Sequence, residues 1–414
     1  MRGIRLSYST FGLTNLDLLS AIDVVGKAGY TGIEIAFHRR QLDPFDASDE
    51  DFVELKHHLQ EARLETACVA TASYFFTPSR PHEPSLLALD LAGRKRRIDL
   101  IKRGIRAARR LGAPFVTFGS GFLRDEHVRS LSVNPRTLLI EGVQECLRDL
   151  HDDENITLLI EPEPGMFVET LEQGLSLIKE VGSPRFGLHV DLCHAYCSET
   201  DYIRSLSEAA PWARYLHVSD AARGYNLKIE NDAEDVTFDL DAAAKLIYFP
   251  DNADYLLVDR RHPLYFCDAS PDLRRRRRID VLLDCAGVDK SPECIDYPSL
   301  YAGSSDFDDE IWTYLISVPG LSYEVLERAK PVIAYLRGVK NPPRIRKRVA
   351  NTRTGITHFH EIPGEGTLDF AASFNALACH GFSGYATIEL YHHNALWESA
   401  LLESYRRLAP YINV

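Results

Sequence analysis

Short apolar, β-branched runs recur along the chain without regular polar alternation: IRLSY (4–8), GIEIAF (32–37), ETACVAT (65–71), FVTFG (115–119), ITLLIE (156–161), GLHVD (187–191), RYLHV (214–218) and YATIEL (385–390). Runs of this length and texture suit strands covered on both faces, as in parallel sheets. Between them, Leu16–Ala28, Asp49–Glu61, Arg94–Leu111, Pro135–His151, Leu171–Val181 and Asp201–Ala210 carry apolar residues three and four apart, the spacing of an amphipathic helix. Glycines follow several of these stretches, as at Gly29 and Gly112, where a left-handed cap ends a helix.

Strand alternating with helix implies βαβ units, and eight such units imply a parallel (β/α)8 barrel of the TIM type. The first seven strand starts are 27 to 50 residues apart, whereas the seventh and eighth are 171 apart. The rhythm therefore predicts a large insertion between strand 7 and helix 7, with that helix at Leu368–Cys379. Residues 1–223 and 356–414, about 280 in all, form the barrel, and residues 224–355 form an inserted mixed or mainly helical subdomain. Helices are expected near Leu240–Tyr248 and Glu310–Gly338, the second broken at Pro319 and Pro331. The insertion leaves from the seventh strand's C-terminal end, which makes a lid over the barrel mouth the natural expectation.

In such barrels reactive side chains sit at the C-terminal strand ends. Four ionisable residues do so here: Glu161 in LLIEPEPG, Asp191 in VDLCHAY, His217 in HVSD and Glu389 in TIELYHH. Each would cost several kcal/mol if buried unpaired, so their convergence calls for a shared partner. A divalent cation meets that need. Three carboxylates and one imidazole form an oxygen-rich set that favours Mn, Mg or Co, with Zn admissible. A cation beside a carbonyl and its neighbouring hydroxyl acidifies the C–H between them, and two carboxylates on opposite faces can then move the proton.

The ordered set Glu161, Asp191/His194, His217/Asp220, Gly364-Glu-Gly-Thr-Leu-Asp-Phe370 and Glu389 resembles the xylose-isomerase-like TIM-barrel superfamily of sugar (phosphate) isomerases and epimerases. The resemblance covers about residues 4–223 and 356–412 and leaves the insertion unmatched. It implies one divalent metal held by Glu161, Asp191, His217 and Glu389, with Glu161 and Glu389 also the catalytic acid/base pair. It further implies substrate contacts from His194 and Arg223, and places His360 near the metal. Glu34, ending the second strand, either bonds substrate or a neighbouring loop amide. Asp220 is expected to orient His217, Glu163 and Glu169 to be solvated loop residues, and His392 and His393 to lie on the surface.

Lys plus Arg number 47 against 60 Asp plus Glu, a net charge of −13, which disfavours nucleic acid and anionic membranes as partners. No apolar run reaches about 18 residues and the N-terminus lacks a signal-like stretch, so a cytoplasmic protein is expected. The eight cysteines show no paired C-x-x-C spacing and are taken as reduced thiols. The expected activity is thus a metal-dependent isomerase or epimerase of a small sugar, sugar phosphate or cyclitol acting through an enediolate, in a chain compatible with homo-oligomers. A lyase, either a dehydratase or a keto-glycoside β-eliminase, would use the same residues. An endonuclease-IV-like phosphodiesterase needs histidines on the third and fourth strands, which read TACVATASYFF and FVTFGSGF. A non-catalytic binding protein would leave the ligand set without purpose.

Overall fold

A computed structural model of the chain describes residues 3–71, 75–76, 82–123, 127, 133–223 and 356–412, and only isolated strands between the last two stretches. Seven strands, β1 (Arg5–Ser9), β2 (Gly32–Ala36), β3 (Glu65–Ala70), β4 (Phe115–Gly119), β5 (Thr157–Glu161), β6 (Phe186–Asp191) and β7 (Ala213–Val218), are joined by β16 (Tyr385–Ile388). They close in the order β1-β16-β7-β6-β5-β4-β3-β2, all parallel. Pairing of Arg5 with Tyr385 through Tyr8 with Ile388 seals the barrel. This is a (β/α)8 TIM barrel with a long insertion after its seventh strand.

Helices fall where the apolar spacing predicts them. They start on side-chain caps: Asp17 before Leu18–Lys27, Ser48 in a capping box with Asp51 before Asp49–Glu61, and Thr170 with Gln173 before Leu171–Val181. Gly112 and Gly182 end two of them at φ of 76° and 67°, which residues with a Cβ adopt at a cost. Two described α-helices, Leu192–Ser198 and Trp397–Ile412, lie outside the stretches read from the sequence; Asp191 caps the first directly from the end of β6.

Alternate strand residues point to opposite faces. Ile33, Ile35, Leu158, Ile160, Leu188, Val190, Leu216 and Val218 belong to the large core cluster that also holds the helices' apolar faces. Each such fully buried side chain contributes about 1.5–3 kcal/mol, which offsets the cost of enclosing ionisable groups on the other face. Ala67, Cys68, Leu159, Tyr215 and Tyr385 form a separate small cluster.

The chain divides into two compact units, Met1–Ala221 with His360–Val414, and Ala222–Phe359. The described residues of the second unit are strands, and most of the segment expected to form a mixed or mainly helical subdomain lies outside the described residues. Ala244–Phe249 pairs antiparallel with Asp254–Asp259 where a helix near Leu240–Tyr248 was expected. LIYF and YLLV are β-prone runs flanking Pro250-Asp-Asn, a turn signal that outweighs the helical spacing. The helix expected over Glu310–Gly338 lies outside the described residues.

Candidate metal centre

The polar inward positions converge at the C-terminal mouth. Glu161 and Asp191 end β5 and β6, His217 is the penultimate residue of β7, and Glu389 follows β16. His217 is 1% exposed, and its Nδ1 lies 3.3 Å from Glu161 Oε1, 3.6 Å from Glu389 Oε2 and 3.8 Å from Asp191 Oδ2. Its Nε2–H donates to Glu34 Oε2 at 2.9 Å, which leaves the Nδ1 lone pair facing the three carboxylates. Nδ1 and Asp191 Oδ2 are buried and make no hydrogen bond. Four donors so placed, two of them orphaned, have the chemistry of a divalent-cation site, and the triads whose ligand atoms lie within 4.8 Å of one another, Glu161/His189/His217, Glu34/His217/Glu389 and Asp191/His194/His360, each share members with this set.

The electrostatics carry the same signature. Burial pushes the Glu161 carboxyl up to about 7, partly opposed by His217. Burial alone would lower His217, but Glu34, Glu389 and Glu161 together hold its imidazole well above the usual range. Protons and a cation thus compete for the same lone pairs.

Beside this set, Asp191 Oδ1 accepts the His194 main-chain N–H at 3.0 Å. His194 Nδ1–H and His360 Nδ1–H donate to the carbonyls of Pro162 and Glu389 at 3.0 and 3.1 Å, and the hydrogen bond between their Nε2 atoms, 3.0 Å apart, has His360, the ring held charged, donating to neutral His194. His360 adopts φ 58°. Its carbonyl accepts from His393 Nε2 at 3.0 Å, so His393, expected at the surface, is instead 1% exposed and part of the wall.

Glu34 is 0% exposed, its Oε2 accepts from both Tyr215 Oη, at 3.0 Å, and the His217 ring, and its Oε1 is buried without a hydrogen bond. Thr387 Oγ1 lies 2.6 Å from Tyr215 Oη and completes the chain. Asp220 does not orient His217. Its carboxylate accepts four main-chain N–H groups, from Ala221, Gly364, Gly366 and Leu368, at 2.7–3.0 Å, and so fastens the Gly364–Leu368 loop. A Cβ at Gly366 would lie 2.3 Å from Asp220 Oδ1, which explains the glycine. Glu163 is not a solvated loop residue: its side chain is 18% exposed, with Oε2 3.5 Å from His82 Nε2. Arg223 lies in the strand Asp220–Arg223, and its side chain is outside the described part.

Sequence reasoning passed over His189 and Tyr215. His189 is fully buried, 2.7 Å from Thr117 Oγ1, with its ring edge-on to His217 at 4.1 Å. Burial, then the neighbouring His217 and His194, hold its imidazole well below the usual range. Both were findable, since each stands two residues before a candidate ligand and so shares its inward face.

A parallel eightfold barrel with its ionisable cluster at the C-terminal strand ends defines the structural class. Within that class the chain belongs to the xylose isomerase-like TIM barrel family, whose model matches residues 22–246, more than half of the chain. Two characterised proteins share short stretches with it. A 3-dehydroshikimate dehydratase of Bacillus anthracis is 29% identical over 69 residues, which is 17% of this chain and 25% of that protein. A ketose 3-epimerase of Arthrobacter globiformis is 31% identical over 58 residues, 14% of this chain and 20% of that one. The chain therefore matches a quarter or less of the length of either relative. Among solved structures, a xylose isomerase domain protein from Alicyclobacillus acidocaldarius superposes with a TM-score of 0.54 at 14% identity, covering 99% of this chain and 98% of that one.

Proposed function

We propose that the protein is a divalent-metal-dependent isomerase or epimerase of a small sugar, sugar phosphate or cyclitol, working through an enediolate. The carrying observation is the orphaned His217 Nδ1 within 4 Å of carboxylate oxygens from three different strand ends. Glu161, Asp191, His217 and Glu389 hold the metal, with Mn, Mg or Co suited to the donors and Zn admissible. When bound, the cation supplies positive charge beside the substrate's carbonyl and hydroxyl oxygens, which acidifies the intervening C–H.

Glu161 and Glu389 approach His217 from β5 and from beyond β16, separate sectors of the barrel wall. One removes the proton at carbon and the other returns it from the opposite side, so the carbon inverts or the carbonyl moves. Glu34 and Tyr215 keep the His217 lone pair directed inward. His194 and His360, both nearly buried, confine the reacting carbons and exclude water. A lyase using the same proton abstraction is the second reading, supported by the stretch shared with the dehydratase.

The test is incubation of the metal-loaded protein with ketoses, inososes and keto-glycosides in D₂O, followed by NMR. Deuterium at carbon beside a carbonyl, with an epimeric or isomeric product, is expected. An unsaturated product points to the lyase, and absence of exchange across the panel contradicts both readings.

A further inference from the structure

The mechanism leaves the enclosed ionisable pair of Glu163 and His82 unused. Glu163 stands two residues beyond Glu161, on a loop whose shape is fixed from both sides. Its N–H donates to Val168 O, its carbonyl accepts from Met166 N–H, Phe167 N–H donates to Gly121 O, and Val168 N–H donates to Ser120 Oγ, all at 2.9–3.1 Å. The Glu163 side chain is 18% exposed and that of His82 13%, with Oε2 and Nε2 3.5 Å apart. A Glu163 oxygen also lies within 4.8 Å of a His194 ring nitrogen, so the pair adjoins the metal centre.

An apolar backing completes the arrangement. The His82 ring meets Phe122 edge-on at 5.6 Å. Gly119, the last residue of β4, lets both neighbours in: a Cβ there would stand 3.0 Å from Met166 Sδ and 3.3 Å from His82 Nδ1. A carboxylate and an imidazole on one side, with thioether and phenyl groups behind them, match a polyhydroxylated carbon chain. Its hydroxyls donate to and accept from the polar pair while its C–H face lies on the apolar groups.

We propose that His82 and Glu163, backed by Met166 and Phe122, form a subsite for the hydroxyls of substrate carbons beyond the reacting pair. This rests on the proposed keto-sugar reading and deepens it. Glu163 is the specificity-determining residue, and the preferred substrates carry at least two hydroxylated carbons beyond the carbonyl and its neighbour. The subsite touches no reacting atom, so it acts on binding and not on proton transfer.

The test compares D-fructose with dihydroxyacetone, which presents a carbonyl and hydroxyl but no distal carbons. Wild type, Glu163→Ala and Glu163→Gln are loaded with Mn, and C–H exchange in D₂O is followed for both compounds. Glu163→Ala is expected to lower kcat/KM for D-fructose tenfold or more through KM, as loss of a hydrogen bond that leaves an enclosed polar partner unsatisfied implies. Exchange of dihydroxyacetone and metal affinity should stay within twofold, and Glu163→Gln should recover part of the loss. Equal losses for both compounds, or no loss for either, overturn the subsite. Equilibrium binding of D-fructose, measured by calorimetry on the same proteins, separates this proposal from the reaction itself. If no ketose exchanges but wild type binds D-fructose tenfold more tightly than Glu163→Ala, the subsite stands and the enediolate reading falls. Equal or undetectable binding overturns the subsite.

Discussion

Glu34→Gln changes the group that aims the proposed metal-binding imidazole while leaving the four proposed ligand residues themselves unsubstituted. Glu34 Oε2 accepts from His217 at 2.9 Å and from Tyr215 at 3.0 Å inside a fully enclosed pocket. A bond to a charged acceptor is worth about 1.5–3 kcal/mol and a neutral one about 0.5–1.5, so the amide forfeits about 1–2 kcal/mol of restraint on the ring. Replacing such an outer partner weakens metal binding about 10- to 100-fold, or about 1.4–2.7 kcal/mol. Tyr215→Phe removes only one of the two bonds and should weaken binding by tenfold at most. Competition against a fluorescent chelator, with Mn and with Co, reads both variants. A folded Glu34→Gln protein whose Kd stays within twofold of wild type would refute the role assigned to Glu34.

Glu161→Gln and Glu389→Gln should each abolish solvent exchange at substrate carbon while leaving the circular-dichroism spectrum unchanged; more than a tenth of the wild-type rate in either would exclude it from the proton-transfer pair. Metal-free stability should fall as pH rises above about 6.5. Glu161, held up to about 7 against an ordinary 4.5, and His217, held above 6.5, both bind protons more tightly in the folded chain, so their stabilising contribution is lost as pH rises through these values, while the opposing gain from His189 and His194, held below 6.5, is nearly complete by then. Thermal melts of chelator-treated protein between pH 6.5 and 8 test this sign, and a rising Tm would contradict it. Asp220→Asn sets an amide against four N–H donors and Gly366→Ala forces a Cβ to 2.3 Å from Asp220 Oδ1, so each should lower the Tm, with a cost of about 1–3 kcal/mol for the lost acceptor. An unchanged Tm in both would mean that the Gly364–Leu368 loop needs no fastening.

The barrel was legible because its strands are apolar runs separated by stretches of helical spacing, eight times over, with ionisable residues at several of their C-terminal ends. Helix Leu171–Val181 is legible to the residue for the same reason, since Thr170 and Gln173 mark its start and Gly182 its end. Strand-end logic brought Glu161, Asp191, His217 and Glu389 into view, because a polar residue ending an apolar strand is conspicuous. It could not separate roles that depend on depth. Glu34, read as a strand end, is the middle residue of β2 and bonds His217 Nε2, whereas Glu389 follows its strand and faces His217 Nδ1. Asp220 reads like a partner of His217 three residues away, but the chain turns after β7 and delivers its carboxylate to the Gly364–Leu368 loop. Glu163 and His393 were misread because each lies in a connection, where enclosure is decided by neighbours distant in sequence, such as His82 and His360. The hairpin at Ala244–Phe249 and Asp254–Asp259 shows the same limit from the other side, with a local spacing overridden by a pairing partner.

Metal content per chain tests the central reading most directly. Wild type, Asp191→Ala and His217→Ala are stripped with chelator, reloaded with Mn, dialysed and measured by inductively coupled plasma mass spectrometry, with Asp220→Ala as a control outside the ligand set. One ion per chain is expected in wild type and in the folded control, and under a tenth of that in the two ligand variants. Full occupancy in both Asp191→Ala and His217→Ala would contradict a cation held at the mouth of this barrel.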